Sequence, residues 1–150
     1  GAAVDGTTYR SAGVAFRVPA RPPSWQPLEA EGTGLAFRDA EAGATIAVSG
    51  RCGKDAEDVP LAALTQHLFI QFTEREAGLE EVVALDGREA LHTVMKAKLD
   101  GVPKQFDVWV LKKDGCVYDM VYIARPESFE AGVPGFRAFV GGFATVAGHE

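Results

Sequence analysis

The sequence is short of the features that would commit it to a membrane or to nucleic acid. Its longest apolar runs, such as Val117 to Ala124, are interrupted by Asp119 and fall well below the ~20 residues that cross a bilayer as a helix. Lys and Arg number 15 against 21 Asp and Glu, a net charge of -6, so no basic field is available to hold nucleic acid or an anionic membrane surface. No internal repeat and no break in composition marks a second domain. The chain opens Gly1-Ala2-Ala3 without a methionine, from which a trimmed N terminus is expected, and with it a signal peptide or lipid anchor lost upstream.

What is present suits one globular domain. The chain has 150 residues with 47% hydrophobic side chains, and a domain of this size removes roughly 70% of its unfolded surface from water without needing a metal or a disulfide framework. Residues Gly1 to Thr8 lack apolar periodicity and read as a flexible arm or linker remnant, with a single domain over 9–148.

Four of the eight prolines fall between Pro19 and Pro27, which predicts a stiff loop carrying Trp25. Gly13 to Val18, Gly34 to Arg38 and Ala44 to Ser49 read as strands. The period then changes. Leu61, Leu64, Thr65, Leu68 and Phe72 recur at helical spacing behind Asp58 as cap and Pro60 in the first turn, predicting a helix that runs to about Glu76.

From Leu79 the period returns to two over Glu80 to Leu85, Glu89 to Leu99, Gln105 to Leu111 and Cys116 to Ala124. The breaks are Asp86-Gly87, Asp100-Gly101 and Asp114-Gly115. Each supplies the positive backbone angles of a tight hairpin turn, so an antiparallel meander is expected. A second helix, Pro134 to Ala147, would bury Phe136, Phe139, Val140 and Phe143. The order is β-β-β-α-β-β-β-β-α, an α/β (α+β) fold. The strand Phe106 to Leu111, apolar on both faces, is expected at the centre, with helices on both faces of the sheet.

Residues that could carry chemistry are few and scattered. Cys52 and Cys116 lie far apart and outside any zinc-ligand spacing. Each neighbours a turn, which leaves two readings open: a disulfide between adjacent elements, or two unrelated buried thiols. His67, His92 and His149 have no metal-ligand spacing; His67 and His92 each read as a packed or solvent-facing residue, and His149 as a frayed tail residue. Ser49 lacks the leading glycine of a nucleophile elbow, and Ser128 sits in a turn. No glycine cluster follows a strand and opens a helix, so no cofactor is expected. Glu74, Glu76, Glu80 and Glu81 read as a solvated face. Trp25, Trp109, Tyr118 and Tyr122 are the candidate binding residues, with core packing as the competing account.

The opening strand Gly13 to Pro19 followed by Trp25, the run Ala44 to Ser49, Leu85 to Ala90, and Val117 to Ala124 leading to Phe129 and the phenylalanine-striped helix together resemble the PsbP-like superfamily. Within it they resemble the DcrB-like bacterial envelope lipoproteins. The resemblance covers Tyr9 to Val146 and implies a central antiparallel sheet sandwiched by helices. Its members include a photosystem II extrinsic subunit, a Ran-associated factor, a secretion chaperone and envelope lipoproteins. It implies a protein that supports other macromolecules without catalysing a reaction.

The expectation is therefore a non-enzymatic accessory or protein-binding domain, periplasmic or in the outer envelope, partnered by another envelope protein. Any membrane association would run through the lost N-terminal lipid anchor. The alternative is a small-molecule or lipid carrier with a pocket between sheet and helix lined by Phe69, Phe72, Trp109, Phe139 and Phe143.

Overall fold

A computed structural model describes residues 6–30, 32, 34–53 and 58–146. Two antiparallel sheets and two helices make an α+β fold in which sheet predominates. The strands are β1 (Thr7–Ser11), β2 (Val14–Val18), β3 (Trp25–Leu28), β4 (Gly34–Asp39), β5 (Ala44–Cys52), β6 (Thr73–Leu85), β7 (Arg88–Leu99), β8 (Val102–Lys113), β9 (Cys116–Ala124) and β10 (Ala144–Thr145). The helices are α1 (Leu61–His67) and α2 (Phe129–Gly141). The large sheet runs β3-β4-β5-β9-β8-β7-β6, and β1-β2-β10 form a small second sheet.

The three Asp-Gly turns are as expected. Asp86, Asp100 and Asp114 have φ of 51, 52 and 53°, and the glycines after them 75, 81 and 80°, the paired positive angles of a type I′ turn whose twist matches that of the strands it joins. They build the β6-β7-β8-β9 meander.

The centre of the sheet differs from the sequence reading. β9 is the middle strand and β8, which contains Phe106 to Leu111, lies next to it, because β5 returns to pair with the far side of β9. Gly50 of β5 lets β2 and the Tyr118 ring pack closely over the sheet at this point. A Cβ there would stand 2.7 Å from the Val14 side chain and 3.0 Å from the Tyr118 ring.

Other boundaries move for identifiable reasons. The proline segment contains the edge strand β3, in which Pro27, having no N–H, sits where only one neighbour, β4, must be paired. Thr7 and Thr8 stand in β1, which a turn at Ala12-Gly13 joins to β2, while residues 1–5 lie outside the described residues. The helix expected to run to Glu76 stops at His67. The chain tightens into three-residue turns, with the Leu68, Phe69 and Ile70 amides donating to Thr65, Gln66 and His67, and enters β6 at Thr73. Leu68 and Phe72 still pack inward, so a helical period persists without a helix. Asp58 does not cap α1; Pro60 occupies the cap position. α2 begins five residues before Pro134, after a 3₁₀ turn at Pro126–Ser128, and ends at Gly141. Phe143 is buried beyond its end, and Ala147 and His149 lie outside the described residues.

The core divides by sheet face. α2 and the small sheet cover one face over Phe16, Trp25, Ile46, Met120, Tyr122, Phe129 and Phe136, and this is the larger cluster. α1 covers part of the other face over Phe69, Met95, Phe106, Val108 and Val110. The sandwich expectation is thus met in part. Helices lie against both faces, but α1 spans only seven residues, so much of its face carries no helix. Among the described residues no helix is long and apolar enough to cross a membrane.

A buried charge network beneath a free sheet edge

The two-residue turns set the register of the meander, and that register lines up Glu81 of β6, His92 of β7, Trp109 of β8 and Met120 of β9 as one cross-strand row on the α2 face. The row grades from an exposed carboxylate at the edge to an apolar centre. His92, 4% exposed, stacks on the Trp109 indole with ring centroids 3.9 Å apart and planes 17° from parallel. Its Nδ1 lies 3.3 Å from Glu81 Oε2, and its Nε2 lies 3.1 Å from both oxygens of Asp107.

Asp107 is fully buried, yet its carboxylate is well supplied with donors. Trp109 Nε1 donates to Oδ1 at 2.6 Å, and Arg137 of α2 donates to Oδ2 through Nε at 2.9 Å and Nη2 at 2.6 Å. A carboxylate without such partners could not be kept in a dry interior. The network therefore runs from α2 across three strands, Arg137 to Asp107 to His92 to Glu81, and fastens the edge strand β6 to the helix. Chemically it is closed. Both nitrogens of His92 face carboxylates and both oxygens of Asp107 are engaged, and among the described residues no group of His, Cys, Asp and Glu has the geometry to hold a metal.

β6 itself is exposed along nearly its whole length and pairs only with β7. Its first half is irregular. Glu74 has φ +50°, and the register breaks between Thr73 and Glu76 and again between Ala77 and Leu79. From Leu79 to Leu85 the pairing is continuous. Here Val82 is 60% exposed beside a cleft of about 870 Å³ lined by Leu61 of α1, Val82, Ala84 and Lys112.

The residues singled out from the sequence fall in separate places. Cys52 and Cys116 face each other at the ends of β5 and β9 and form a disulfide across a sequence separation of 64, deciding between the two readings. Trp25 is 2% exposed against Phe37 and Phe139. Tyr118 and Tyr122 are buried on the α2 face, where Tyr122 donates its hydroxyl to the Phe129 carbonyl at 2.9 Å. Burial, with the Asp39 and Asp107 charges, pushes the Tyr122 hydroxyl up to about 12. Of the four aromatic candidates only Trp109 joins the polar network.

The residues expected to line one pocket do not share a space. Phe69 and Phe72 pack on the α1 face, while Trp109, Phe139 and Phe143 pack on the α2 face, with the sheet between them. Phe69 and Phe72 pack on Phe106 of β8, whose side chain points to the opposite face of the sheet from Trp109 three residues later. His67 is exposed at the end of α1, Ser49 is half-buried in β5, and Ser128 precedes α2. The sequence leaves Arg137 unremarked, reads Asp107 as a charge balancing the lysines of the meander, and reads Glu81 as part of a solvated face; the structure instead buries Asp107 at the centre of the network. The turn positions alone would have placed Glu81, His92 and Trp109 in register, whereas nothing local joins Arg137 to Asp107.

No protein-family model matches the sequence, and no curated protein matches it. Solved structures do. Cyanobacterial PsbP (CyanoP) from Synechocystis superposes with a TM-score of 0.65 at 14% identity, over 95% of this chain and 94% of that one. LpqN, involved in cell envelope biogenesis of Mycobacterium tuberculosis, gives 0.60 at 14% identity over 94% and 91%. A protein of unknown function from Pseudomonas aeruginosa, PA94, gives 0.57 at 13% over 91% and 94%. The chain has the PsbP-like fold.

Proposed function

We propose that this protein is a non-enzymatic accessory domain of the bacterial cell envelope that binds another envelope protein. The observation that carries the reading is the closure of the His92 network. Among the described residues this cluster of histidine, carboxylates and arginine commits both His92 nitrogens and both Asp107 oxygens to its own members and so holds an edge strand in place. A general acid or base needs an atom within reach of substrate, and His92 has both nitrogens committed inside the fold. The Cys52–Cys116 disulfide favours an oxidising compartment, outside the cytoplasm. The fold is shared with an envelope-biogenesis protein. A lipid anchor upstream of Gly1 would hold the domain at the membrane.

The test is fractionation of cells making the tagged full-length protein, followed by cross-linking and capture from the envelope fraction. A reproducible partner in an envelope or periplasmic fraction is expected. A wholly cytoplasmic protein that recovers no partner overturns the reading.

A further inference from the structure

The two edges of the large sheet are built differently. β3 closes one edge with only four residues, one of them Pro27, which has no N–H to offer; short strands and prolines are common means of blunting an edge. β6 closes the other edge with 13 residues. Its irregular half, Thr73 to Gly78, is blunted in its turn by a positive φ and two register breaks. The half from Leu79 to Leu85 carries none of these devices.

The turn at Asp86-Gly87 fixes which groups this half presents. Leu85 and Arg88 flank a two-residue turn and exchange hydrogen bonds, so Val83–Ala90 and Glu81–His92 are also hydrogen-bonded pairs. Glu80, Val82 and Ala84 fall at the alternate positions, and their N–H and C=O groups point away from β7. Their side chains share the face on which α1 lies, beside the cleft lined by Leu61, Val82, Ala84 and Lys112. An incoming strand would meet unpaired backbone groups in register with an exposed valine and an open cleft. Meanwhile the Arg137–Asp107–His92–Glu81 chain holds β6 from behind, which lowers the ordering cost of docking.

We infer that Leu79 to Leu85 of β6 is a docking edge for an extended segment of a partner protein, which adds as an eighth strand. The segment sets apolar side chains beside Val82 on one face and lysine or arginine beside the half-exposed Glu81 on the other. Charge selects this occupant. The docking half of β6 carries Glu80 and Glu81 and no cation, on a chain of net charge -6, so a basic strand is attracted and a second copy of the same edge is repelled. Backbone pairing supplies affinity, and the cleft and the glutamates supply selectivity. The inference rests on reading the protein as a protein-binding domain, and its test separates the two.

The probe is a synthetic peptide of about ten residues alternating valine and lysine, compared with a valine–glutamate peptide of equal length. Binding of the first is expected to slow amide exchange at Glu80, Val82 and Ala84 by about tenfold or more, with no comparable change on β3. Val82→Pro removes one outward N–H that the native ladder does not use. It should leave the circular dichroism and unfolding midpoint near those of the parent while weakening the peptide about tenfold. Val82→Lys, which keeps the N–H and places a like charge beside the peptide, covers the case in which the proline variant fails to fold, and it too should weaken binding. Protection elsewhere than β6, equal binding of the glutamate peptide, or self-association through β6 overturns the inference. If the Val82 variants still capture the parent's envelope partner, the docking edge is wrong and the accessory function stands. If no partner is captured by any form, the function falls irrespective of the peptide result.

Discussion

Asp119 stands half-buried on β9, paired with Ser49 on one side and Val110 on the other, on the face that α1 covers only in part. Burial pushes its carboxyl up to about 6, with the Arg51 charge pulling the other way. In the unfolded chain the same group titrates near 4. Between these values the folded state holds a proton that the unfolded state has released, so Asp119 lowers stability progressively as pH rises from about 4 to 6 and by a constant amount above. Asp119→Asn removes the penalty. The variant should match the parent near pH 4 and exceed it by about 1–2 kcal/mol at pH 7, measured as the difference between urea unfolding free energies across that range. A difference independent of pH would show that the carboxyl does not titrate there. Asp86 acts oppositely. Burial alone would raise its carboxyl, but hydrogen bonds from the Thr145 amide, the Lys113 ammonium and the Thr145 hydroxyl outweigh it and hold the group below the usual carboxylate range, which favours the folded state above that range.

Among the elements, the β6-to-β9 meander was the most legible. An Asp-Gly turn requires positive φ at both central residues, few residue types tolerate that, and three such pairs leave little choice of pairing or register. The turn at Ala12-Gly13 has the same geometry without the asparagine or aspartate that advertises it, so β1 was hidden. α1 was overextended because Leu68 and Phe72 keep a helical spacing while packing from tight turns, and periodicity cannot distinguish the two. The disulfide joins β5 and β9, elements far apart in sequence but adjacent in the sheet. In the chain-entropy model a loop of this length gives at most about 4 kcal/mol. The Cys52→Ala/Cys116→Ala variant, or the reduced protein, should therefore remain folded on its extensive core with a lower denaturant midpoint. An unchanged midpoint would mean that the crosslink does not restrain the unfolded chain.

In the whole molecule, the Arg137–Asp107–His92–Glu81 chain links α2 to the edge of the sheet through the buried carboxylate of Asp107. Asp107→Ala strips a shared acceptor from His92, Trp109 and Arg137, and should cost about 3–5 kcal/mol in chemical denaturation, with faster amide exchange in β6 than in β9. Asp107→Asn, which keeps an oxygen acceptor without the charge, should fall between. If exchange in β6 stays unchanged, the network does not hold the edge. The sequence by itself determined the meander, its turns and register, the apolar faces of β8 and β9 and the acidity of β6, because alternation, turn chemistry and charge are local properties. Only the tertiary structure decided that β9 is central, that Cys52 meets Cys116, that the phenylalanines divide between two faces and that Arg137 reaches Asp107. Each depends on which distant segments pack together, and that is set by the burial available to the whole chain.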